Sequence, residues 1–522
     1  MFLPGESMAD ETQETVVYEN SLVKSPFTPG TTTIVERFSP YLCEFLGTFM
    51  VTLVFGFAYV NTARAHEAYG LALIILIYSF GSVSGGNFNP AVTLMLGMLG
   101  KITWYVCWLY IVFQFLGGLV ASFAILSIFG YDIQVGYSAG YDVISAAIGE
   151  IFYTAMLCFV VANCEYSLRT NPKTDPNQFY AIAIGFAVIA GGYAIGPISG
   201  GFFNPAIAVG FGLLEGVLYT VYHCMGAALA AALFRALRPE DKGLDGSLLA
   251  EAVEPSWEAR VLSEFVGTLA VAFTYGLTVV TGAGKMSAYA VGSVLLCMTY
   301  SLADVSGAHF NPAVSLAVWL CGRIKCRAQD MVIYAGIQIL AAVIASSVFS
   351  FYHDSGAFAD KIFGVAPKPF HSWEQVGFVE TMFTFLICIV ILSVATTSLT
   401  YPGHAAPPKK NFYFALAIGL SFMVALYTQQ PVSRGAMNPA LALGMSLEAL
   451  SEQPGNFTNI IEVANTTSGV MMPISVETFT PDFMNFLHYW FYELLGAILA
   501  AVIFHITHAH EFYAKNEPAE QY

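Results

Sequence analysis

One twelve-residue phrase recurs four times in this chain, and it limits the fold more than any other feature. It reads SVSGGNFNPAVT around Asn89, PISGGFFNPAIA around Asn204, DVSGAHFNPAVS around Asn311 and PVSRGAMNPALA around Asn438. In each copy a turn of small residues leads into Asn-Pro-Ala and then into a short apolar run. Proline suits the first turn of a helix, where its missing N–H costs nothing, and asparagine is a good cap. Each phrase therefore predicts a helix start, at Pro90-Ala91, Pro205-Ala206, Pro312-Ala313 and Pro439-Ala440.

A second element keeps step with the first. Glu44, Glu150, Glu264 and Glu380 each head an apolar run with a threonine four residues on, and Asn-Pro-Ala follows 45–58 residues later. The chain thus reads as four copies of one unit. With 56% hydrophobic and 11% charged residues and a mean hydropathy of +0.64, it is too apolar for an ordinary soluble protein. Runs of about 20 apolar residues, the length that crosses a bilayer, fit near 38–60, 69–86, 104–128, 144–165, 178–197 and 217–237, and again near 258–280, 286–304, 328–350, 373–396, 411–429 and 485–508. The four runs after Asn-Pro-Ala are about ten residues long and suit half a membrane. The acidic start, MFLPGESMADETQETVVYENS, does not read as a signal peptide. The net charge of -16 argues against nucleic-acid binding.

Three spans and a half-span per unit means that successive units enter the bilayer from opposite faces, which is how inverted repeats arise. Four units give two bundles in series: a tail over 1–37, a first domain over 38–237, a polar linker over 238–257, a second domain over 258–508 and a tail over 509–522. With the amino terminus in the cytoplasm, fifteen of the twenty Lys and Arg residues face inside, as the positive-inside rule asks. Both tails and the linker are then cytoplasmic. The expected location is the plasma membrane, with an internal membrane as the alternative. The same orientation puts the glycosylation candidates Asn456 and Asn465 in a long outer loop.

A half-membrane helix leaves its first amides in the hydrocarbon zone, which is tolerated only where it packs in protein or lines an aqueous path. Two such helices entering from opposite faces meet near the midplane with their positive ends facing, a field that opposes cations. The asparagines cap the local backbone and offer N–H groups to a passing molecule. The buried glutamates need partners in the bilayer, and the expectation is that each holds the half-helix loop beside it, with Gln114 and Gln338 assisting. No cofactor is called for. The spacing of Cys321 and Cys326, and the His505–His508–Glu511 stretch, do not make metal sites; a wetted helix end accounts for the latter.

On these residues the chain resembles the major intrinsic protein family, the aquaporins and glycerol facilitators, with two family domains fused in tandem. The resemblance implies an all-α polytopic membrane protein of two right-handed bundles, with twelve transmembrane helices, four re-entrant half-helices and one pore per bundle. Family members usually form rings of four domains, so two copies of this chain are expected to give a pseudo-tetramer. The family's outer filter maps by offset from the asparagines onto Tyr69, Gly192, Gly201 and Ile207 in the first bundle and onto Val291, Leu426, Gly435 and Leu441 in the second. The filter arginine is absent from both, as is the filter histidine. Arg434 stands one residue before Gly435, where the other phrases have glycine; replacement guard, plug and outward-reaching side chain are the three readings. His223 and Glu493 occupy matching places in the sixth spans and are expected to face the other bundle or a neighbouring chain. The chain is expected to be no enzyme but a passive channel for water or small uncharged solutes such as glycerol, urea, ammonia or hydrogen peroxide. The alternatives are a non-conducting structural or junctional protein and, more remotely, a secondary transporter.

Overall fold

The computed structural model describes residues 34–509 and 512, apart from 63, 131–132, 173–175, 242–252, 285, 324–325, 356–363, 369, 398–410, 448–457, 465–470 and 478–481. Asn456, Asn465 and Glu511 lie outside the described residues. The first bundle comprises α1 (Ile34–Asn61), α2 (Ala65–Ser84), α3 (Pro90–Leu99), α4 (Trp104–Phe129), α5 (Val143–Cys164), α6 (Tyr180–Ser199), α7 (Pro205–Phe211) and α8 (Leu213–Leu237). The second repeats the order: α9 (Trp257–Val280), α10 (Met286–Leu302), α11 (Pro312–Leu320), α12 (Ala328–Ser355), α13 (Trp373–Ala395), α14 (Phe414–Gln429), α15 (Pro439–Ser446) and α16 (Phe486–Thr507). The fold is that of a polytopic helical membrane protein.

Ten of the described helices are long and apolar enough to cross a membrane by length and composition. The two other expected spans, α10 and α14, have 17 and 16 residues, roughly 25 Å at 1.5 Å per residue. They pack on one another as their counterparts α2 and α6 do. The half-helices α3, α7, α11 and α15 have 10, 7, 9 and 8 residues, or about 10–15 Å, no more than half of a hydrocarbon core of about 30 Å. Each starts at proline, behind an extended asparagine whose side-chain oxygen accepts the alanine N–H.

Packing follows the inverted repeat. In the first bundle α3 lies on α4 and α8, α7 lies on the same two helices, and α3 touches α7; in the second, α11, α15, α12 and α16 reproduce the set. The bundles meet where α5 and α6 face α9 and α10. Tyr153 donates to Thr274 Oγ1 at 3.0 Å and Tyr352 donates to the Ser145 carbonyl at 2.8 Å across that seam. Between the bundles Arg238 forms a buried fork, both terminal nitrogens 2.9 Å from Asp304 and Nε 2.6 Å from Asn163 Oδ1. Lys101 reaches Asp241 at 2.6 Å. The start of the expected linker is therefore part of the fold, because Arg238 and Asp241 are both buried. Within the long loop before α16, Thr458–Ala464 and Met471–Glu477 pair as an antiparallel ribbon.

Candidate functional site

Each Asn-Pro-Ala turn hangs from its unit's glutamate. Glu44 accepts from the Ser84 hydroxyl at 2.6 Å, from the Asn87 and Phe88 amides at 3.1 and 2.8 Å, and from Gln114 Nε2 at 2.7 Å. Glu264 repeats the set with Ser306 (2.6 Å), His309 N (3.0 Å), Phe310 N (2.7 Å) and Gln338 Nε2 (2.8 Å). Glu150 takes Ser199 (2.6 Å), Phe202 N and Phe203 N (both 3.1 Å), while Glu380 takes Ser433 (2.5 Å) and Met437 N (3.1 Å). The serine two residues before the second small residue of the phrase is thus a shared anchor that the Glu and Asn patterns alone did not single out.

The carboxylates hold an unfavourable backbone. Phe88, Phe203, Phe310 and Met437, each just before an asparagine, have φ between 48° and 53°, the left-handed region that costs an L-residue roughly 1–2 kcal/mol. Charge-assisted bonds from the same residues' amides offset that cost. The turn aims the residue's carbonyl at the opposite half-helix. Asn89 Nδ2 donates to Phe203 O and Asn204 Nδ2 to Phe88 O, both at 2.9 Å. Asn311 donates to Met437 O at 2.8 Å and Asn438 to Phe310 O at 2.9 Å. A carboxamide has two N–H donors, so after Oδ1 has capped the helix and one N–H has crossed the junction, Asn89, Asn311 and Asn438 each keep one N–H for the midplane, while the second N–H of Asn204 points to the Tyr69 hydroxyl at 3.5 Å.

A cavity opens on one side of each junction, where α2 or α10 ends and α6 or α14 begins. The first is lined by Tyr69, Leu73, Asn87, Asn89, Val92 and Glu165 among others. The second is lined by residues including Leu295, His309, Asn311, Val314, Phe422 and Asn438. Glu165 stands just past the end of α5 and lines the first cavity.

On the other side, Gly192, Gly201, Ile207, Val291, Leu426, Gly435 and Leu441 are all buried. The Tyr69 hydroxyl accepts from Asn204 Nδ2 at 3.5 Å. The imidazole of His66, one turn earlier on α2, fills the space that Gly192, Gly196 and Gly201 leave open: a Cβ on these would come within 2.2, 2.6 and 2.8 Å of it. His66 Nε2 donates to Gly200 O at 2.9 Å, so its Nδ1 is the acceptor in the neutral ring. A histidine that the offsets passed over thus packs among the glycines of the first set. In the second bundle the place of His66 is taken by Ala288, and the side chain against Gly435 is Gln429, whose Nε2 would lie 2.2 Å from a Cβ there. The set is not purely aliphatic. The signal in the sequence was the glycines themselves, since two residues without side chains in a four-residue ring leave room for a larger group from across.

His223 and Glu493 also differ from expectation. Each faces the half-helix of its own bundle: His223 Nε2 lies 3.0 Å from Glu150 Oε2, and Glu493 Oε1 accepts the Asn438 N–H at 2.8 Å. They occupy the places of Gln114 and Gln338 in the other two units. Arg434 is half-buried. The Tyr275 hydroxyl donates to the carbonyls of Arg434 and Gly435, and Lys368 N donates to Val432 O at 3.0 Å beside them. Burial, then the charge of Arg434, holds the Lys368 ammonium below its usual range. His505 bonds Ala501 O at 2.8 Å and stacks on Phe512, while His508 stacks on Phe504; both rings are engaged within the helix end.

The family model described as Major intrinsic protein matches residues 32–173, 139–284 and 251–504. Aquaporin TIP2-3 of Arabidopsis thaliana is 32% identical over 222 residues, 38% of this chain and 87% of its own length. Glycerol uptake facilitator protein-like 6 of Lactiplantibacillus plantarum is 29% identical over 192 residues, 36% of this chain and 84% of its own length. Among solved structures, the X-ray structure of the aquaglyceroporin from Plasmodium falciparum is similar over 47% of this chain and 94% of that one, at 18% identity and a TM-score of 0.35.

Proposed function

Because the chain belongs to the major intrinsic protein family, whose relatives are aquaporins and glycerol facilitators, we propose that it is a passive, bidirectional channel with a separate conduit for small neutral solutes through each bundle. The observation that carries this reading is the pair of reciprocal asparagine bridges, Asn89 with Asn204 and Asn311 with Asn438, which leave one N–H each on Asn89, Asn311 and Asn438. A solute sheds part of its hydration at the outer constriction, passes the asparagines in single file and enters the inner cavity. It exchanges no proton with the protein. Facing helix N-termini oppose cations, and at the second outer mouth Arg434 and Lys368 add two positive charges, so Arg434 acts as an outer guard of that conduit. Water and glycerol are the leading solutes, with urea, ammonia and hydrogen peroxide in the same class. The proposed domains are 38–237 and 258–508, and two chains assemble into a four-bundle ring.

A non-conducting scaffold is the second reading, favoured by Ile207 and Leu441 standing three residues after their asparagines with no side-chain donor. Shrinkage of proteoliposomes in hyperosmotic sucrose, and their re-swelling in glycerol, separates the two. Rates above those of empty liposomes for water or glycerol support the channel. Rates equal to empty liposomes for water, glycerol, urea, ammonia and peroxide abandon it.

A further inference from the structure

We propose that Gln429 is the hydrogen-bonding group of the second conduit's outer constriction, and that it makes this conduit selective for small neutral solutes that carry a donor and an acceptor side by side, the chemistry shared by urea-like amides and vicinal diols. The inference rests on the channel reading and assigns the second conduit a specificity that the aliphatic set around it lacks. Gln429 is the last residue of α14 and is fully buried. Neither its Nε2 nor its Oε1 has a hydrogen-bond partner. Other buried carboxamides in the described part of the chain, such as Gln114 and Gln338, leave only one of these atoms unpaired, because their Nε2 atoms bond Glu44 and Glu264. Leaving a whole buried amide unmet is unfavourable, and the Val291, Leu426 and Leu441 side chains of the same filter set carry no polar atom.

The place of the amide fits the role. Gly435, three residues before Asn438, is the counterpart of Gly201, three before Asn204. In the first bundle the group against that glycine is the His66 ring, and the residue matching Gln429 is the apolar Ile195. In the second bundle the assignments are exchanged: the match for His66 is Ala288, and Gln429 reaches the glycine from α14. Each constriction thus keeps one polar side chain, delivered by a different helix. An imidazole bonded through Nε2 to Gly200 O has one acceptor left, whereas a free carboxamide presents C=O and N–H in one plane and can pair twice with a solute that does the same.

The test uses the full chain in proteoliposomes with the first conduit plugged by Val92→Trp, since Val92 lines the first cavity. In that background Gln429→Met keeps length and volume but removes both polar atoms. Its expected effect is a roughly tenfold loss of urea and glycerol permeation, with a smaller loss for water, so that both solute-to-water ratios fall. A fall for urea alone assigns the amide arm, and a fall for glycerol alone the diol arm. Gln429→Ala serves as the second variant: lower solute flux supports the proposal, whereas higher flux identifies Gln429 as an obstruction and overturns it. Unchanged urea and glycerol rates in Gln429→Met, in protein that still passes water, overturn it while leaving the channel reading intact. Baseline rates in the unmodified chain end both.

Discussion

In three of the four units the third full span gives a hydrogen bond to the unit's glutamate, through Gln114, His223 and Gln338. In the fourth, α16 delivers Glu493 instead. Glu380 and Glu493 accept from the consecutive amides of Met437 and Asn438, so two buried carboxyls share one turn, and Glu493 Oε2 has no hydrogen-bond partner. Like charges this close disfavour each other. Glu493→Gln restores the arrangement of the other units, because the amide oxygen still accepts from Asn438 while the new N–H2 faces Glu380. A hydrogen bond to a charged group contributes about 1.5–3 kcal/mol. In a bundle of this size each kcal/mol shifts the midpoint by about 2–4 °C, so the variant should unfold roughly 3–12 °C higher in detergent, measured by intrinsic fluorescence. An unchanged or lower midpoint refutes the reasoning and means that the second carboxyl is itself stabilising.

The charges at the seam between the bundles and beside Arg434 yield two more predictions. Asp304→Asn strands the buried Arg238 guanidinium between the bundles, and breaking such a pair costs about 3–5 kcal/mol; the same fluorescence melt should show a clear drop, and no drop means the bundles hold without it. Lys368 binds its proton less tightly in the fold than in the unfolded chain, so stability should rise as pH climbs through the lowered value toward the ordinary 10.5. Lys368→Gln should flatten that alkaline slope, and a slope that survives the substitution assigns it to another group.

The repeated grammar of Glu and Asn-Pro-Ala was enough to mark every helix start at the midplane, because capping chemistry is local: an asparagine followed at once by a proline says where a helix begins. Span limits were legible for the same reason, with Trp104–Phe129 expected at 104–128 and Trp373–Ala395 at 373–396. The constrictions were harder. Counting from Asn89 lands on Tyr69, but which of two residues one turn apart, His66 or Tyr69, fills a gap depends on how α2 sits against α6, a tertiary fact. Gln429 was hidden for a related reason: α6 continues through Pro197 to Ser199, whereas α14 stops at Gln429, two residues before Pro431. His223 and Glu493 show the limit from the other side, since their matching positions were evident and their facing direction was not.

Passage of solutes at the two half-helix junctions and nowhere else is tested by blocking each junction in turn. Val92 and Val314, each three residues past its asparagine, line the two inner cavities, so stopped-flow shrinkage of proteoliposomes carrying Val92→Trp, Val314→Trp or both isolates the routes. The account predicts that the rates lost in the single variants add up to the rate lost in the double variant, which behaves like empty liposomes. A double variant that folds and still passes solute at the unmodified rate contradicts it.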